Sequence, residues 1–180
     1  MTIPKSYSEI TIAQFDELRE ISLIEDVAER EKESLCVLLN CDPSTLKTLS
    51  VGQINEINES VSFLKADPKS NFNRIIEIDG IKYGFISDLD IISLGEWIDE
   101  DFYSSDFDNC KHNVASILWR KIIKEDELGY QIEEYDGSRC KLLAEIFKNK
   151  MSYQDLWGGS VFFSLIGTEL LRYFPQYLTQ

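Results

Sequence analysis

The 180 residues hold only one histidine, four cysteines, four prolines and nine glycines. With His112 alone, the chain has few options for histidine catalysis or metal binding. No glycine-rich phosphate loop, Gly-x-Ser-x-Gly elbow, His-Glu-x-x-His pair or dinucleotide fingerprint occurs in the sequence. Cys36, Cys41, Cys110 and Cys140 form no Cys-x-x-Cys pair, and Cys110 with His112 has poor spacing for zinc. The start, Met1 to Glu9, is polar and unlike a signal peptide, so the thiols are expected to be free in a reducing cytoplasm. The apolar stretch around Val161 to Ile166, interrupted only by Ser164, falls far short of the ~20 residues of a membrane span. Positive charge is scarce too: 18 bases against 32 acids leave a net charge of -14. That balance disfavours non-specific binding to nucleic acid or to anionic lipid. It suits either a basic protein partner or a surface whose charge only keeps the chain soluble.

What is present is enough apolar matter to fold. Hydrophobic residues make up 43% and aromatics 12%, and a chain of this length buries roughly 70% of its unfolded surface. One domain over 1–180 is expected, with a helical part at 1–70, a hairpin at 71–90 and a second helical part at 91–180. Thr11 with Gln14 makes a capping box before Phe15, Leu18 and Ile21. Ser22 with Glu25 offers a second box, ahead of Val27, Ala28, Leu35, Leu38 and Leu39. Asn40 to Pro43 closes that helix, and Asp42-Pro43 can open a short one. Ser50 with Gln53 starts another, whose Ile54, Ile57, Val61 and Leu64 keep helical period until Asp67-Pro68.

The pattern then changes. Arg74 to Ile78 and Ile81 to Phe85 are β-rich runs joined by Asp79-Gly80, the signature of a hairpin with a type I′ turn. Helical spacing resumes at Ser93 with Glu96, continues through Val114, Ile117, Leu118 and Ile122, and returns at Leu142, Leu143, Ile146 and Phe147. Tyr130 to Tyr135, closed by Asp136-Gly137, reads as a strand able to join the hairpin in a three-stranded sheet. The last segment, Ser152 to Phe174, is apolar on nearly every side and reads as a central core helix or a subunit contact, with Gly158 and Gly159 at a kink or close helix contact. The fold class is therefore mainly α (α+β), with a small hairpin or three-stranded sheet around 73–86 and 129–135.

Two features stand above this background. One is a pattern that occurs three times, at Ile10 to Phe15, Leu49 to Ile54 and Ile92 to Trp97: aliphatic, hydroxyl, aliphatic, small, Gln or Glu, large apolar. Three separate helix starts obeying one capping rule would produce it, and so would a duplicated helical unit. The other is a charge run. Ten acids lie between Ile75 and Cys110 (Glu77, Asp79, Asp88, Asp90, Glu96, Asp99, Glu100, Asp101, Asp106 and Asp108), with Lys82 as the lone base. Asp99 with Asp101, and Asp106 with Asp108, have the spacing of calcium loops but lack the glycine and the final glutamate. The run reads as an anionic face, either solvated or docked on a basic neighbour. Cys110 and His112, two apart on one helix, point away from each other and make a poor catalytic dyad. No catalytic, cofactor or metal residue is assigned, and no cofactor is expected.

The order of features resembles structural and assembly proteins of tailed bacteriophages, in particular neck proteins of crAss-like and related phages of Bacteroidota. The resemblance rests on Ile3-Pro4-Lys5-Ser6-Tyr7 to Phe15, the hairpin leading to Ile92-Ser93-Leu94-Gly95-Glu96-Trp97, Ala115 to Ile122, Tyr135-Asp136-Gly137 and Phe162-Phe163-Ser164-Leu165. It implies a non-enzymatic virion component made in the host cytoplasm, a ring or adaptor of the head-to-tail connector between portal and tail, expected as a homo-oligomeric ring with portal, ring or tail proteins as partners. The helical first third is similar to tail assembly chaperones, which bind the tape-measure protein. A small metal-assisted enzyme using the acidic run 88–108 is the expectation of a different class.

Overall fold

The computed structural model describes residues 3–86, 92–127 and 129–173, with side chains described as far as Ser164. Its chain clusters into two compact units, Met1–Pro68 with Lys148–Tyr153, and Lys69–Phe147 with Gln154–Gln180. The protein is mainly helical with a small antiparallel sheet, as the sequence patterns predict.

The first unit holds α1 (Ile12–Ile21), α2 (Val27–Leu39), α3 (Pro43–Leu46) and α4 (Val51–Ser60), with 3₁₀ turns at Tyr7–Glu9 and Val61–Lys65. Both capping boxes expected here at Thr11 and Ser50 form: Gln14 N donates to Thr11 Oγ1 at 3.1 Å and Thr11 N to Gln14 Oε1 at 3.0 Å, and Ser50 repeats the exchange with Gln53. The box expected at Ser22 does not form. The Ser22 hydroxyl instead donates back to the Arg19 carbonyl at 2.6 Å, closing α1. Asp26, held extended, caps α2 by accepting from Glu29 N at 2.8 Å. Asn40 ends α2 in the left-handed region, φ 48°, a conformation asparagine tolerates better than most residues. Leu35, Leu39 and Ile57 bury together with Leu46, Leu49 and Ile54 around them. A second aromatic nucleus stacks Phe15 on Tyr153, with ring centroids 3.5 Å apart. Backbone bonds tie Ile12 N to the Met151 carbonyl and Tyr153 N to that of Ile10.

The second unit is built on a four-stranded antiparallel sheet in the order β1 (Ile75–Ile78), β2 (Ile81–Phe85), β3 (Trp119–Asp126), β4 (Gly129–Ile132). Positive φ at Asp79 (53°) and Gly80 (76°) makes the expected hairpin turn. Two expectations are corrected here. The helix read through Ile122 stops at Leu118, because from Trp119 onward the chain pairs with β2, placing Trp119 opposite Phe85, Arg120 opposite Gly84 and Lys121 opposite Tyr83. Aromatic and β-branched residues at a sheet position override a helical period that their spacing also satisfies. The Tyr130 strand, in turn, pairs with β3 and not with the hairpin, giving four strands where three are predicted. It ends at Ile132, and Asp136-Gly137 is a helix start: the Asp136 carboxylate accepts from Ser138 N at 3.0 Å and from its hydroxyl at 2.6 Å.

Around this sheet lie α5 (Leu94–Ser104), α6 (Phe107–Leu118), α7 (Gly137–Lys150, its last residues in the first unit) and α8 (Tyr153–Tyr173, from Gln154 in the second). Trp119 and Phe85 are buried edge to face at 4.7 Å, and Phe147 meets Tyr83 at 5.1 Å. Gly158 and Gly159 of α8 allow close approach: a β-carbon on Gly159 would run into the Trp119 indole, and one on Gly158 into the Asn71 carbonyl. Both serve packing against strand and loop. The apolar residues of α8 after Ser164, with Phe174, fall outside the described side chains.

Candidate interaction surface

At 3.6 residues per turn, the side chains of α5 divide into two sides. Leu94, Trp97, Ile98, Asp101 and Phe102 lie on one; Glu96, Asp99 and Tyr103 lie on the other. An amphipathic helix ordinarily turns its apolar side to the core. Here the sides are exchanged. Leu94 is 74% exposed, Trp97 and Ile98 56%, and Phe102 67%, while Glu96 is 3% exposed.

Polar contacts hold the helix this way round. The third capping box sets the first turn, with Glu96 N donating to Ser93 Oγ at 3.2 Å and Ser93 N to Glu96 Oε2 at 2.8 Å. The other oxygen, Oε1, lies 2.8 Å from Arg120 Nη2 on β3, and both side chains are almost wholly withdrawn from water. One turn on, the Tyr135 hydroxyl donates to Asp99 Oδ2. Burial, and then that bond, raise the Tyr135 pKa well above its ordinary value, and burial beside Asp99 raises that of Tyr103. Both phenols therefore stay protonated across the physiological range, Tyr135 as the donor to Asp99. Burial also pushes Cys140, on the neighbouring α7, up to about 11, and its thiol donates to the Ser116 carbonyl at 3.5 Å.

The acidic run is thus split by the fold. Glu96 and Asp99 point into the second unit; Glu100 is half-buried and accepts from Ser104 Oγ at 2.6 Å. Glu77 sits opposite Lys82 in the hairpin, where Lys82 also reaches Glu125 at 2.6 Å. Asp101, Asp106 and Asp108 remain at the surface, with the Asp106 carboxylate accepting from Asn109 Nδ2 at 3.0 Å. Asp88 and Asp90 lie outside the described residues. Among the described residues no group of three or more His, Cys, Asp or Glu converges as a metal set. Cys110 and His112 stand two positions apart on α6. All four cysteines are free, and no helix among the described residues is long and apolar enough to cross a membrane.

No family model, curated protein or solved structure matches the chain.

The exposed stripe escaped the sequence reading because an amphipathic period is the same whichever side faces in. A signal available was Arg120, one of two bases between Trp119 and the aliphatic Ile122-Ile123, which needs a buried acid once its strand is central. The threefold pattern does resolve into three formed capping boxes. The elements after each box differ: α1 leads to another helix, α4 to a 3₁₀ turn, and α5 to α6 and a strand.

Proposed function

We propose that this chain is a non-enzymatic structural protein of a tailed-phage virion, a neck or head-to-tail connector component that forms a homo-oligomeric ring and contacts portal or tail proteins. The observation that carries the binding role is the reversed α5. Four large apolar side chains on one helix face water while a buried ion pair and a phenol–carboxylate bond occupy the inner side. Contiguous exposed apolar surface of this kind is costly in isolation and marks a contact with another molecule. The phage assignment rests on the resemblance of the sequence segments described above, and the ring on what that resemblance implies.

A tail assembly chaperone, holding a tape-measure chain on the same exposed helix, is the second reading, favoured by the same stripe. Peptide mass spectrometry of purified particles separates the two. Recovery of this chain at a stoichiometry fixed relative to portal supports the connector; its presence in infected cells and absence from particles supports the chaperone and overturns the connector.

A further inference from the structure

The first unit carries a surface that complements α5. An open cavity of about 650 Å³ lies among α1, α2 and the 3₁₀ turn at Val61–Lys65, floored by Phe15, Leu18, Leu35 and Leu64. Its charged residues are Arg19, Arg30 and Lys65 against Glu31 alone. In a chain with 32 acids and 18 bases, a threefold local excess of base around an apolar floor is a reversal of the general surface. The α5 stripe has the opposite character: Leu94, Trp97, Ile98 and Phe102 form an apolar ridge with Asp101 set within it, followed by Asp106 and Asp108.

We infer that the α5 ridge of one copy seats in the Phe15–Leu64 groove of a second copy, with Asp101 meeting the Arg19–Lys65 rim. Apolar ridge meets apolar floor, and acid meets base, so both the shape and the sign of the charges match. Ridge and groove are different surfaces of one chain, so the contact is heterologous: a bound pair still offers one free ridge and one free groove, on different copies. Such contacts continue from copy to copy until the rotation closes them into a cycle. This inference rests on the proposed ring and supplies its repeating contact.

The test uses the full chain and native mass spectrometry over a concentration series. Wild type is expected to give a discrete closed oligomer. Trp97→Ser/Phe102→Ser, which removes the ridge, and Arg19→Glu/Lys65→Glu, which reverses the rim, are each expected to weaken self-association by about tenfold or more, with circular dichroism melts like wild type. Mixing the two variants leaves one intact ridge and one intact groove, so a one-to-one heterodimer that grows no further is expected. Lys65→Glu and Asp101→Lys, each weakened alone, should regain association when combined in one chain. A wild type that stays monomeric throughout overturns the ring and this contact together. A wild type that assembles, with both double variants assembling equally well, overturns this contact and leaves the ring standing.

Discussion

Arg120 Nη2 stands 2.8 Å from Glu96 Oε1 in a place where water barely reaches either side chain. Arg120 Nε has no hydrogen-bond partner among the described residues, so the pair is not fully satisfied and contributes little net stability over a well-packed apolar pair. What it does contribute is orientation: with Glu96 drawn inward, Leu94, Trp97, Ile98 and Phe102 are turned out. Arg120→Ala leaves a carboxylate buried without its counter-charge and is expected to cost about 3–5 kcal/mol, measured by urea unfolding. Arg120→Met combined with Glu96→Gln should recover most of that loss, because no unpaired charge remains.

Glu100 gives the pH dependence a definite sign. Burial, opposed by its bond from Ser104 and reinforced by Asp101, raises its pKa above the unfolded value. Below the unfolded pKa the carboxyl is neutral in both states. As pH rises through the folded pKa, the folded state must ionise a half-buried group, and the stability associated with the neutral form is lost. Glu100→Gln keeps an acceptor for Ser104 and should raise the melting temperature at pH 7, with a difference from wild type that shrinks toward pH 4. An equal difference at both pH values would place the effect elsewhere.

Gly159 permits the approach of α8 to the sheet. Gly159→Ala inserts a methyl where the Trp119 indole lies, and Trp119 is itself fully buried. The expected cost is about 1–3 kcal/mol, visible as a lower thermal midpoint with altered near-ultraviolet dichroism from the indole. Trp119→Phe on the same background should return part of the loss.

The cysteines differ in chemistry although all are free. With a pKa pushed up to about 11 by burial, Cys140 presents roughly one thiolate per thousand thiols at pH 8. Iodoacetamide at pH 8 should therefore modify Cys41 and Cys110 well before Cys140. Rapid labelling of Cys140 in the folded protein would contradict the packing of α7 against α6.

Much of the fold was legible because local rules decide it. Thr11, Ser50 and Ser93 each exchange hydrogen bonds with the residue three positions on, and Asp79-Gly80 turns because its φ angles must be positive. The failures are tertiary. Trp119 to Ile122 satisfies a helical period and a strand equally well, and pairing with β2 chooses the strand. The Ser22 box loses to a closer carbonyl at Arg19. The acidic run reads as one surface, yet Arg120 and Tyr135, distant in sequence, draw Glu96 and Asp99 inside. Nothing local to Leu94–Ser104 reveals which side of that helix faces water.

Hydroxyl-radical footprinting of Trp97 and Phe102 tests that orientation most directly. In the dissociated protein both side chains should oxidise readily, at rates far above that of buried Trp119, and in the assembled state both should be protected. Slow oxidation of Trp97 and Phe102 in the dissociated chain, or equal rates before and after assembly, would contradict an outward α5 that serves as the contact surface.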